Sequence, residues 1–99
     1  MTINKEINGS ELKLALEGRL DTVTSSELSA VLDDTLAAAD SVIFDFAKLD
    51  YVSSSGLRVL LSTQKTLNTK SGKMHIINVS DDLMEIFEVT GLSDVFTIN

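Results

Sequence analysis

Three serine hydroxyls stand side by side in Ser53-Ser54-Ser55-Gly56. A serine hydroxyl can cap a helix, attack a carbonyl when a base lies beside it, or accept a phosphoryl group. The attack needs a histidine or equivalent base and, in the commonest arrangement, a GxSxG corner. The chain has one histidine, His75, in a strand-like run next to Ile76, and no GxSxG, so a hydrolytic serine is excluded. A cap is the ordinary use of serine ahead of a helix and contributes about 1 kcal/mol. Three serines exceed what one cap requires. A phosphoryl group on a hydroxyl at a helix start would add about −1.5 to −2 charges. It would sit beside free backbone N–H groups and change the surface more than the fold.

Other chemistry finds little support. Paired carboxylates can do acid-base work. The pairs here, Asp33-Asp34 and Asp81-Asp82, are sequence neighbours, and neighbours on a helix point in different directions. There is no cysteine, which excludes disulfides, thiol catalysis and thiolate metal sites. One histidine offers no metal pair, and neither a P-loop nor a GxGxxG run occurs. No catalytic set, cofactor loop or metal site is therefore expected. The net charge of −7, from 15 acids against 8 bases, argues against nucleic acid as the main partner. It leaves open both simple solubility and attraction of a basic partner surface. No stretch of about 18 apolar residues could span a bilayer. Met1-Thr2-Ile3-Asn4-Lys5 lacks the order of a signal peptide, so the expected location is the cytoplasm.

The elements that must position these residues follow from pattern. With 99 residues, 43% of them apolar, one domain over 1–99 is expected. Asn8-Gly9 separates a run from Thr2 to Ile7 and a clean alternation from Glu11 to Glu17, with Leu12, Leu14 and Leu16 on one face; this predicts a hairpin. Gly18 to Val23 reads as a loop, and Thr24-Ser25-Ser26-Glu27 as a capping box opening a helix over 25–39. Val42 to Phe46 is almost continuously apolar, the pattern of a strand covered on both faces. A loop through Lys48 to Val52 then leads to the serines and a second helix along Leu57, Leu60, Leu61 and Leu67, stopping near Gly72. Met74 to Val79 predicts a strand, Ser80 the cap of a third helix, Gly91 its left-handed stop, and Val95 to Ile98 a short last strand. The order β-β-α-β-α-β-α-(β) implies an α/β fold. Its sheet is mixed and largely parallel, with an antiparallel N-terminal hairpin and helices mainly on one face.

Leu49-Asp50-Tyr51-Val52-Ser53-Ser54-Ser55-Gly56-Leu57-Arg58-Val59-Leu60-Leu61 resembles the signature of STAS domains in bacterial anti-sigma factor antagonists. Leu16-Glu17-Gly18-Arg19-Leu20-Asp21 is similar to that family's Gly-x-Leu-Asp loop, and Val89-Thr90-Gly91-Leu92 to a third characteristic turn. The resemblance implies a STAS-type sheet and a partner-switching module rather than an enzyme. The family's phosphorylated residue falls on Ser54 and its aspartate loop on Asp21. It further implies that the unmodified form binds an anti-sigma factor that is also a serine kinase of the GHKL type, freeing a sigma factor. Phosphorylation ends the binding, and a PP2C-type phosphatase reverses it. Many switching members carry Asp immediately before the phosphorylated serine; this chain has Ser53.

The expected partner surface is Asp21, Ser53, Ser54, Ser55, Gly56 and Arg58, with Leu57 turned inward and Arg58 outward by helical spacing. Loops that follow parallel strands gather at one sheet edge, which should bring Asp21 close to Ser54. Asp21 then either meets the partner or caps the first helix. Two other roles share the resemblance: a constitutive, unphosphorylated STAS subunit of a transport complex such as a lipid-transport ATPase, and a nucleotide- or small-molecule-binding module. No phosphate-cradling glycine loop supports the latter.

Overall fold

The computed structural model describes all 99 residues. Strand β1 (Thr2–Asn8) pairs antiparallel with β2 (Glu11–Leu20), with Asn8 opposite Glu11. The two-residue turn is thus Gly9-Ser10, one position later than the Asn-Gly signal suggests. Gly9 takes φ +61°, the conformation a tight hairpin needs at its first turn residue.

From β2 the chain runs through helix α1 (Thr22–Thr35) and a 3-10 turn (Leu36–Ala38) into β3 (Ser41–Val52). It continues through helix α2 (Ser54–Thr69), β4 (Lys73–Ile77), helix α3 (Asp81–Val89), a second 3-10 turn (Leu92–Asp94) and β5 (Thr97–Ile98). Strands β2 to β5 are parallel, and the sheet order is β1-β2-β3-β4-β5. Each new parallel strand is laid on the same side of the last. Crossovers of one hand therefore stack all three helices on the same sheet face.

Burial follows that architecture. Leu12, Leu14 and Leu16 of β2, Val42, Phe44 and Phe46 of β3, and Met74 and Ile76 of β4 are buried under Leu28 and Leu32 of α1, Leu60 and Leu67 of α2, and Leu83 and Phe87 of α3. Phe44, Phe46, Phe87 and Phe96 run through this layer in tilted, stacked and edge-on contacts of 5.8 to 6.4 Å. The alternate residues, Ile43, Asp45, His75 and Ile77, are half-buried on a face that no helix covers. The apolar run of β3 therefore does not mark a strand covered on both sides.

Two expected loops are strand. Gly18, Arg19 and Leu20 extend β2 by pairing with Leu49, Tyr51 and Val52, after register shifts that absorb the mismatch. With the strand longer, α1 starts earlier: its cap is Asp21 with Thr24, not Thr24 with Glu27. The second helix also stops differently. Ser71, not Gly72, is left-handed at φ +57°, and the Gly72 amide returns to the Leu67 carbonyl at 2.7 Å. Gly91 is left-handed at φ +78°, as expected after α3. No helix is long and apolar enough to cross a membrane.

Candidate functional site

Strands β2, β3 and β4 end at the same sheet edge, and each hands over to a helix through a polar cap: Asp21, Ser53 and Ser80. The strand order never reverses, so the edge has none of the crevice in which open α/β sheets hold ligands. It presents a row of helix starts instead.

At the α2 start the three serines divide the work. Ser53, half-buried, has extended backbone (φ −85°, ψ 172°), and its Oγ accepts from the Gly56 amide at 3.2 Å. That bond satisfies one of the orphan donors of the first turn. Its own amide donates to the Leu20 carbonyl at 2.8 Å, tying the cap to the end of β2. Ser54 is exposed and its hydroxyl engages in no hydrogen bond within the chain; Ser55 is half-buried and likewise free. Gly56 is buried against Leu20, where a Cβ would fall 2.8 Å from Leu20 Cγ and 3.1 Å from its carbonyl oxygen. Leu57 packs against the core, and Arg58 is exposed, as helical spacing predicts.

Asp21 sits beside this corner, one residue past the Leu20 carbonyl that holds Ser53. Its Oδ1 accepts from the amides of Val23 (3.1 Å) and Thr24 (3.0 Å) and lies 3.1 Å from the Thr24 hydroxyl. Thr24 Oγ1 in turn accepts from the Asp21 amide at 2.8 Å and donates to the Arg19 carbonyl at 2.7 Å. The Thr24 amide bond, followed by the Thr24 hydroxyl, holds the Asp21 carboxyl below its ordinary value of 3.8, with Arg19 adding a smaller pull. Asp21 is thus the cap of α1 through Oδ1. Oδ2 has no partner in the chain.

Two residues that sequence pattern leaves unassigned frame the site. Arg19 and Tyr51 are register partners on adjacent strands, and the Arg19 guanidinium carbon lies 4.4 Å from the Tyr51 ring centre. Both are exposed, next to Asp21 and Ser53 respectively. Val23, in the first turn of α1, is 72% exposed, which an isolated domain gains nothing from. Tyr51 and Arg19 were invisible as a pair because their contact needs the strand extension beyond Gly18. On the uncovered sheet face, Asp45 Oδ1 accepts from Asn78 Nδ2 at 3.0 Å and from the Ala47 amide at 3.0 Å. The Asn78 bond is the main reason the Asp45 carboxyl lies below 3.8. No cluster of three His, Cys, Asp or Glu side chains is arranged to hold a metal ion.

A family model described as STAS domain matches residues 2–99. An anti-sigma-B factor antagonist of Staphylococcus aureus (strain NCTC 8325 / PS 47) is 34% identical over 83 residues, covering 83% of this chain and 77% of its own. An anti-sigma factor antagonist from Mycobacterium paratuberculosis superposes with a TM-score of 0.86 at 20% identity, over 98% of this chain and 83% of that one. The Bacillus cell fate determinant SpoIIAA in its phosphorylated form superposes with a TM-score of 0.80 at 21% identity, over 99% and 91% of the two chains.

Proposed function

The chain belongs to the STAS domain family, and we propose that it is an anti-sigma factor antagonist switched by phosphorylation of Ser54. The unmodified form binds an anti-sigma factor that is also a serine kinase of the GHKL type, and so releases a sigma factor. In the kinase's active site Ser54 Oγ attacks the γ-phosphorus of ATP. The bond to the β-phosphate oxygen breaks, ADP leaves, and a base of the kinase takes the hydroxyl proton. A PP2C-type phosphatase returns the serine by hydrolysis.

One observation carries this reading: Ser53 does the capping, which leaves the Ser54 hydroxyl exposed and unpartnered on the first turn of α2. The serine that precedes the acceptor, where many switching relatives have Asp, is compatible with the same geometry because Ser and Asp cap helices about equally well. Names of relatives supply the partner class: the Staphylococcus aureus protein is an anti-sigma-B factor antagonist. The docking surface is the corner formed by Asp21, Ser53, Ser54, Ser55, Gly56 and Arg58. A dianion trapped there against a partner, and near the Asp21 carboxylate, is costly. Weakening a complex 100-fold takes only about 2.7 kcal/mol, within reach of one misplaced phosphate.

The test is calorimetry against the ATP-dependent anti-sigma factor encoded near this gene, with mass mapping after incubation with ATP. Ser54→Ala should bind like the wild type and take up no phosphate; Ser54→Asp should lose at least tenfold in affinity. Equal affinities for the two variants would overturn the switch and point to constitutive binding of the transport-subunit kind.

A further inference from the structure

We propose that Arg58 is the intramolecular counter-ion of a phosphate on Ser54, so that the modified form folds its new charge back onto its own helix. The inference rests on Ser54 being the acceptor and goes beyond it by assigning what holds the phosphate.

Ser54 and Arg58 are four residues apart on α2, and both are exposed. Residues at this spacing are neighbours, with Cβ atoms about 5–6 Å apart. Helical side chains lean toward the N-terminus, so a residue covers the turn ahead of its own Cα. For Arg58 that turn is the one Ser54 opens. The same exposed stripe continues through Ser62 and Thr66, which carry no charge.

Arg58 is also uncommitted. The one ion pair in the chain within 4 Å joins Lys48 to Glu17, on the far side of the sheet, and Arg58 donates no hydrogen bond. Asp33 of α1 lines the same shallow groove of about 290 Å³ as Arg58, with Ser29 and Ser62, yet forms no pair with it. At the sheet edge Asp21 already caps α1, Asp50 is exposed, and Arg19 is stacked on Tyr51. Arg58 is therefore the free cation one turn from the acceptor. A phosphate one turn away offers the guanidinium close to two negative charges and two oxygens for a bidentate pair, where the Asp33 carboxylate across the groove offers one charge.

The device makes the switch act twice. Phosphorylation adds negative charge at the corner and withdraws Arg58 from whatever it faces in a complex.

Phosphoserine placed at position 54 by genetic encoding tests this without any kinase. The phosphate's second ionisation is followed by phosphorus NMR in the folded protein, in Arg58→Gln and in Arg58→Lys. Arg58 should lower the phosphate's proton affinity about threefold relative to Arg58→Gln, with Lys recovering part of the effect. Circular dichroism of each variant confirms the fold. The same proton affinity in the wild type and Arg58→Gln would overturn the counter-ion. Failure of the kinase to modify Ser54 is a separate result: it would overturn the switch and leave the NMR comparison intact.

Discussion

The Ser53 amide and the Leu20 carbonyl, 2.8 Å apart, fasten the start of α2 to the end of β2. Because Asp21 follows Leu20 directly, this bond fixes the spacing between the two caps that flank the candidate surface. Gly56 makes the closeness possible. A methyl group there would lie 2.8 Å from Leu20 Cγ and 3.1 Å from the Leu20 carbonyl oxygen, in a spot where Leu20 is fully buried. Overpacking of this kind costs roughly 1–3 kcal/mol, while alanine in place of glycine returns about 0.5–1 kcal/mol of helix propensity. Gly56→Ala should therefore be less stable by about 1–2 kcal/mol in urea denaturation. An unchanged midpoint would mean that the two elements are not held together as described.

Ser53 and Ser54 should separate cleanly in stability measurements. Ser53→Ala removes the acceptor of the Gly56 amide and should cost about 1 kcal/mol. Ser53→Asp keeps a cap oxygen and adds favourable charge at the helix start, so its midpoint should match the wild type or exceed it. Ser54→Ala removes no hydrogen bond and should change stability by less than 0.5 kcal/mol. A Ser54→Ala variant as unstable as Ser53→Ala would show that the capping role had been given to the wrong serine.

Acid should weaken the fold through Asp21 and Asp45. Both carboxyls titrate below 3.8 in the folded chain because hydrogen bonds favour their ionised forms, from Thr24 in the first case and Asn78 in the second. A depressed folded value means stability that is fully present above about pH 4 and is lost as pH falls through the folded values. Urea midpoints taken from pH 6 down to pH 2.5 should fall in that window. Asp21→Asn and Asp45→Asn, which keep an acceptor oxygen but do not titrate, should each flatten the fall. Midpoints that rise on acidification below pH 4 would contradict the bonding at both sites.

Much of this was legible in the sequence, and the reasons are physical. Alternation at Leu12, Leu14 and Leu16 and the helical spacing of Leu57, Leu60 and Leu67 report burial directly, so the sheet, its helices and the inward turn of Leu57 could be read. The corner of Ser53 to Arg58 was also readable, because serine capping and helix phase are local. The extension of β2 and β3 past Gly18 and Lys48 was not. It depends on register shifts between paired strands, which no single strand's pattern reveals. Asp21 was legible as a possible cap of the first helix, but its reciprocal bonding with Thr24 and the Arg19–Tyr51 stack were not, because both depend on the strands running on.

The end of α2 shows the same limit at a single peptide. Glycine after a helix usually marks the left-handed residue, and Gly72 suggests itself for that role. Instead Ser71 carries φ +57°, and Gly72 is there because its Cα passes the preceding loop: a Cβ would fall 2.7 Å from the Asp40 carbonyl oxygen. The Asp40 carbonyl also accepts from Lys73 at 2.9 Å, so it is not free to move away. Two adjacent substitutions should therefore have opposite signs. Ser71→Gly relieves a left-handed L-residue, worth about 1–2 kcal/mol, less the roughly 0.4–1 kcal/mol by which glycine loosens the unfolded chain. A net gain of up to about 1.5 kcal/mol is expected. Gly72→Ala pushes a methyl group into fixed backbone and should cost roughly 1–3 kcal/mol. If thermal melts instead find Gly72→Ala harmless and Ser71→Gly destabilising, glycine's role there is the ordinary helix stop and the close approach to Asp40 is wrong.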